Sequence, residues 1–370
     1  MFLSVSKNQK LQKFFFDSAK ESGNSLIESN FLHGVNVFIG SHDKDIFSES
    51  YGYADDLHNH EMTLDKVFDL ASLTKAVGTA LIAAHLRDKS KLDYNQSIRR
   101  YLPNIPIENF PYGEPTVKDL LIHYSGIDSF RYYDKYMLKG HDELYQSFVY
   151  NLTGISPIGQ IYEYNCGNYI LLGLIVEEIT KMPLNKVAQK YLFNKLQLKD
   201  TFWGIPLIHT LENIVSPKLV TTHGSTPKEL VPNEILNLHL KDCLPSDETA
   251  RWVLPYCIGN AGMFSTIEDL SKIARFILSR PFDNSTMELL TTNQAPFNLH
   301  PRSCGFDLEE ESVFSKKTIH HTGWSGQSIW IDLDKNIFAI VLTCRSNTLD
   351  GQRKARLKIV EIVLKDVYLH

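Results

Sequence analysis

Strand-like segments lie at both ends of this 370-residue chain, and helical patterning fills the stretch between them. Near the start, residues 34–40 and 45–51 read as strands joined by the polar turn Ser41-His42-Asp43-Lys44. Near the end, residues 304–308, 317–321, 327–332 and 337–344 read the same way. Helical spacing covers residues 8–21, the segment after Ser72, and residues 351–368. It also dominates residues 92–240, between proline-rich loops such as Pro103-Asn104-Ile105-Pro106 and Pro111-Tyr112-Gly113-Glu114-Pro115. The expectation is an α+β fold, with an antiparallel sheet built from both chain ends, flanked by helices, and a mainly helical insertion. Residues 1–90 and 255–370 would form the sheet region and 91–254 the helical region, with a cleft at the seam. The sequence has neither a G-x-S-x-G elbow nor a βαβ strand pattern, which sets aside an α/β-hydrolase.

Composition narrows the function classes. The chain is 43% hydrophobic and 22% charged, and its net charge is −5. No basic run suggests a nucleic-acid partner. The longest apolar stretches, around 76–84 and 169–176, are too short to span a bilayer. The first residues turn polar soon after Met1, so no secretory leader is expected and the reading is a cytoplasmic protein. Five scattered cysteines without C-x-x-C pairs read as free thiols in a reducing compartment. Leu57-His58-Asn59-His60-Glu61 reads as a polar loop; with no second cluster at ligand spacing, neither a metal nor a cofactor is expected.

The chemistry concentrates in three places. In Phe68-Asp69-Leu70-Ala71-Ser72-Leu73-Thr74-Lys75, a serine and a lysine sit three apart at the head of an apolar helix, on one face. Lys75 is the only formally charged residue between Leu70 and Leu86, and a lysine is almost never buried without a partner. Beside a serine at a helix N-terminus, it can lower the cost of ionising the hydroxyl. The second place is the loop Tyr162-Glu163-Tyr164-Asn165-Cys166-Gly167-Asn168, which runs into an apolar helix. The third is His320-His321-Thr322-Gly323-Trp324-Ser325-Gly326-Gln327, where one strand ends in a glycine turn and another begins.

These motifs, in this order, resemble the β-lactamase-related serine hydrolase family of class C β-lactamases, D-alanyl-D-alanine carboxypeptidases and family VIII esterases. Further landmarks are Tyr51-Gly52-Tyr53-Ala54, Thr116-Val117-Lys118-Asp119-Leu120-Leu121-Ile122-His123-Tyr124-Ser125-Gly126-Ile127 and Ala261-Gly262-Met263-Phe264-Ser265-Thr266. The resemblance implies a β-lactamase/transpeptidase-like fold. It also implies Ser72 as acylated nucleophile, Lys75 as its proton-handling neighbour and Tyr164 as general base. His321, Thr322 and Gly323 take the place of the family's lysine- or histidine-led triplet. The backbone N–H groups of Ser72 and Trp324 become the oxyanion donors.

The chain departs from the family twice. Cys166 stands where the Y-x-N motif has asparagine, replacing an amide by a weak thiol donor. His321 stands where many lactam-active relatives carry lysine, and histidine is largely neutral at pH 7. Both point away from lactams, toward a Ser72 acyl-enzyme acting on small-molecule carboxylic esters. A β-lactamase, a D-Ala-D-Ala-type peptidase or amidase, an acyltransferase and a non-catalytic binding relative are the alternatives. His123 reads as structural, and Asp269 as a first-turn acid in a helix capped by Ser265-Thr266. Trp324 and Trp330 are cleft or packing residues, Trp324 the better cleft candidate. Specificity is expected from loops such as 130–139 and 205–229.

Overall fold

The computed structural model describes residues 9, 11, 32–54, 60–128, 142, 146, 152–204, 244–308, 310–311, 313–345 and 352–368. The expected helix over 8–21 falls outside these residues except at Gln9 and Leu11, and the loops 130–139 and 205–229 fall outside them altogether.

A five-stranded antiparallel sheet runs in the order β2-β1-β8-β7-β6. Its strands are β1 (Leu32–Ser41), β2 (Asp45–Gly52), β6 (Thr318–Thr322), β7 (Gln327–Asp332) and β8 (Ile337–Arg345). The two chain ends meet where β1 pairs with β8, with Val37 opposite Val341 and Phe38 opposite Ile340. A smaller sheet takes β3 (Phe68–Asp69), β5 (Met263–Ser265) and β4 (Phe202–Trp203), in that order. One strand of this sheet, β4, thus comes from residues 91–254, expected as the helical region, and the other two from residues outside it.

The two-residue period of the strands sorts their side chains into two cores. Val35, Val37, Ile39, Ala339 and Val341 pack with Ile359, Val360 and Val363 of the C-terminal helix Gln352–Tyr368. Phe38, Phe338, Ile340 and Leu342 face the opposite way, into the main core with Ile273 and Ile277 of the helix Ile267–Leu278. On that helix Thr266 is the cap, accepting from Asp269 N–H, and Asp269 is a first-turn acid as expected. Trp330 belongs to the C-terminal helix's core, fully buried and stacked on Phe314 at 5.9 Å, so it packs and does not line the cleft.

Residues 304–308 do not form the expected strand. Gly305 adopts φ +129°, a conformation that breaks a ladder, and of these five residues only Asp307 pairs, in isolated bridges with Arg302 and His320. A Cβ at Gly305 would lie 2.6 Å from Ala80 Cβ, so the glycine lets this turn close onto the segment after Ser72. That segment opens as a π-helical turn, Lys75–Ala80, before continuing as the α-helix Leu81–Asp88. Wider turns of this kind recur at functional sites.

Candidate active site

Ser72 sits on a tight turn between β3 and the π-helical segment. Ala71, just before it, takes φ +44°, uncommon for a residue with a Cβ. Asp69 pins the turn: its Oδ1 accepts from Ala71 N–H at 3.0 Å and its Oδ2 from Ser246 N–H at 2.8 Å. Burial raises the Asp69 pKa against the opposing pull of those hydrogen bonds. Asp69 carries no motif signature in the sequence; its place three residues before the nucleophile candidate is the only cue.

Lys75 is fully buried and meets three acceptors. Its Nζ donates to Ser72 Oγ at 3.0 Å, to Asn260 O at 3.1 Å and to Cys166 Sγ at 3.4 Å. The expected pairing of Ser72 with Lys75 on one face is thus present, and Cys166 joins it from 91 residues away. Nζ also lies 5.1 Å from the centroid of the Tyr164 ring. Burial works against the cation. The acidic groups of Cys166, Tyr164 and Asp247, with a hydrogen bond to Tyr164, outweigh it and hold the Lys75 pKa above the ordinary lysine value. Asn260, whose Nδ2 donates to Asp247 at 3.1 Å, and Asp247 itself were not legible as site residues. To Lys75, Asn260 presents only its backbone carbonyl, which any residue type carries.

Tyr164 is 40% exposed and stands at the mouth of this arrangement, 6.1 Å between centroids from His321. Cys166, half-buried, begins the helix Cys166–Thr180. His321 is buried, and its Nδ1 lies 2.9 Å from Thr322 O. A carbonyl only accepts, so Nδ1 carries the proton and Nε2 a lone pair. Burial, with Arg302 and Lys75 nearby, pushes the His321 pKa well down, so the triplet begins with a neutral ring.

The β6–β7 turn is docked directly on the Ser72 turn. Ser325 Oγ lies 2.9 Å from Asp69 O and 2.6 Å from Gln327 Oε1. A Cβ at Gly323 would lie 2.4 Å from Leu70 O, so only glycine permits this approach. Trp324, half-buried, follows at the same edge. A cavity of about 210 Å³ is lined by Tyr164, Arg302, Asp307, His320, His321, Thr322 and Arg353, and Trp324 is not among its lining residues. Among the described residues, no cluster of three or more His, Cys, Asp or Glu could hold a metal ion, and no helix is long and apolar enough to cross a membrane.

The chain is similar to several known proteins along most of its length. An N-acetylmuramyl-L-alanine amidase of Bacillus subtilis (strain 168) is 26% identical over 333 residues, 81% of this chain and 74% of that protein. A Salmonella typhi protein carrying a D-alanyl-D-alanine carboxypeptidase designation is 24% identical over 349 residues, 85% of this chain and 79% of its own. Among solved structures, the octameric penicillin-binding protein homologue from Pyrococcus abyssi superposes with a TM-score of 0.70 at 19% identity. It is matched over 96% of this chain and 77% of its own. EstCE1, a hydrolase with promiscuous acyltransferase activity, superposes with a TM-score of 0.69 at 18% identity, over 95% and 98% of the two chains. The architecture is the β-lactamase and penicillin-binding-protein fold. With the beta-lactamase family profile matching residues 25–364, the chain belongs to the beta-lactamase family, whose members are serine hydrolases.

Proposed function

We propose that this protein is a serine acyl hydrolase that forms an acyl-enzyme on Ser72 and acts on small-molecule carboxylic esters. The observation that carries the reading is the buried Lys75 ammonium, 3.0 Å from Ser72 Oγ and 5.1 Å from the Tyr164 ring centroid. A cation held there favours a deprotonated oxygen on the serine beside it, which a serine nucleophile needs. Because Lys75 keeps its proton, Tyr164 and not Lys75 takes the Ser72 proton as the serine attacks the acyl carbon. The oxyanion that develops on the former carbonyl oxygen is received by the Ser72 and Trp324 N–H groups, a role supported by the close packing of Gly323, the residue before Trp324, on Leu70 in the Ser72 turn. Tyr164 gives that proton to the leaving alcohol, then takes a proton from a water that attacks the acyl carbon and passes it to Ser72 Oγ as the carboxylic acid leaves.

Ester preference rests on what the site lacks. Cys166 supplies no amide, and His321 is neutral, so the groups that would hold a lactam or peptide substrate's polar substituents are weak. A second reading, hydrolysis of an amide, is favoured by the names of the amidase and carboxypeptidase relatives. Steady-state turnover of short-chain nitrophenyl esters, a penicillin and a D-alanyl-D-alanine peptide separates the two. Faster ester turnover supports the esterase reading, and preferred turnover of the peptide or lactam overturns it.

A further inference from the structure

We propose that His123 is a positioning residue that holds the backbone on both sides of Tyr164, fixing the phenol over Lys75. The inference rests on the reading of Tyr164 as the base, and its test is built to separate the two.

The contacts flank a single residue. Glu163 N–H donates to His123 O at 3.1 Å, and Asn165 N–H donates to His123 Nδ1 at 3.2 Å. One residue thus engages both chain neighbours of Tyr164, one through its carbonyl and one through its ring. A backbone N–H only donates, so Nδ1 is the acceptor and the neutral ring carries its proton on Nε2. The same nitrogen lies 3.1 Å from Asn168 Nδ2, while Asn168 Oδ1 accepts from Ser125 Oγ at 2.6 Å. Asn165 Nδ2 donates to Ile127 O at 2.7 Å, so residues 123–127 form a continuous cradle under residues 163–168.

The backbone of His123 is arranged for this double contact. Its φ is +62°, in the left-handed region that only glycine, asparagine and aspartate enter with ease. There the carbonyl and the ring reach the same neighbouring segment. Local strain of this kind persists where surroundings over-determine it, which the cradle does. The ring is 1% exposed and packs 4.6 Å from Tyr164, 5.2 Å from Tyr169 and edge-on at 6.4 Å to Tyr162, measured between centroids. Burial, with Arg302, Lys75 and His321 close by, keeps it neutral and so keeps Nδ1 an acceptor.

The geometry sets up an unusual rescue. Asparagine tolerates the left-handed region and places Oδ1 near the position of histidine Nδ1, so His123→Asn keeps the fold of the turn and the acceptor. His123→Gly keeps the φ and loses the acceptor; His123→Ala loses both. Two readouts are taken on wild type and all three variants. The first is kcat and KM on a nitrophenyl ester. A displaced base costs up to about 10²-fold in kcat with KM little changed. The expected result is that loss in the Gly and Ala variants and near wild-type kcat in the Asn variant. The second needs no activity: 3-fluorotyrosine placed at position 164 and read by fluorine NMR. The expected result is one wild-type-like resonance for Asn and a shifted or broadened one for Gly and Ala. Unchanged resonances in Gly and Ala overturn the clamp, and so does a loss in Asn equal to that in Ala. A wild-type protein without ester turnover removes the proposed function, and the fluorine spectra then decide the clamp alone.

Discussion

Asp69 Oδ1 accepts a 3.0 Å hydrogen bond from the N–H of Ala71, the residue that turns the chain at φ +44° into Ser72. Its other oxygen holds Ser246, so one buried carboxyl ties the nucleophile turn to a segment 177 residues away. Position of the serine, and not only its identity, is therefore written into this side chain.

Asp69→Ala leaves the Ala71 and Ser246 N–H groups buried without acceptors. Each orphaned donor costs about 1–3 kcal/mol. Urea unfolding should show a loss of about 2–6 kcal/mol, with esterase kcat falling more than KM changes. Asp69→Asn keeps one acceptor and should lose roughly half as much stability. Stability of Asp69→Ala equal to wild type contradicts this account of the turn.

Cys166→Asn restores the amide of the family motif within reach of Lys75, where the thiol now lies at 3.4 Å. An amide able to donate to a substrate carbonyl favours amide and lactam substrates, by about tenfold for one good hydrogen bond. The ratio of kcat/KM for penicillin over nitrophenyl ester should rise in this variant. A ratio that stays flat or falls removes Cys166 as a determinant of substrate choice.

His123 and His321 are both held well below the ordinary histidine value near 6.5, by burial first and then by neighbouring cations. Below that value the unfolded chain binds protons that the folded chain refuses, so stability drops as pH falls. Each such ring contributes a slope of about 1.4 kcal/mol per pH unit until its folded pKa is reached. Asp69, raised by burial, acts in the opposite sense above pH 3.8, so variants and not the bare wild-type slope are the test. Urea midpoints between pH 7 and 5 should fall less steeply in His321→Gln than in wild type. Parallel curves would falsify the assignment of a buried neutral ring.

Much of the fold could be read from the strands. Short apolar runs in residues 34–40 and 337–344 gave nearly the bounds of β1 and β8, because a sheet with a core on each face calls for apolar residues at successive positions. Residues 304–308 misled because their apolar content serves a turn packed on Ala80, where Gly305 breaks the strand. Ser72, Lys75, Tyr164 and Cys166 were legible through fixed short spacings, and the structure brings all four together. Asp69, Asn260 and Asp247 were not, since they act through backbone groups and long-range contacts that leave no local pattern. His123 was legible as structural, but its grip on the residues either side of Tyr164 depends on a pairing 40 residues distant, which only the folded chain displays.

The central claim is the acyl-enzyme on Ser72. Intact mass of the wild type, quenched during turnover of a slowly hydrolysed activated ester, tests it most directly, with peptide mapping of any adduct and Ser72→Ala alongside. One added acyl group is expected, mapped to the peptide containing Ser72 and absent from the variant. An adduct that maps elsewhere, or that persists in Ser72→Ala, contradicts it.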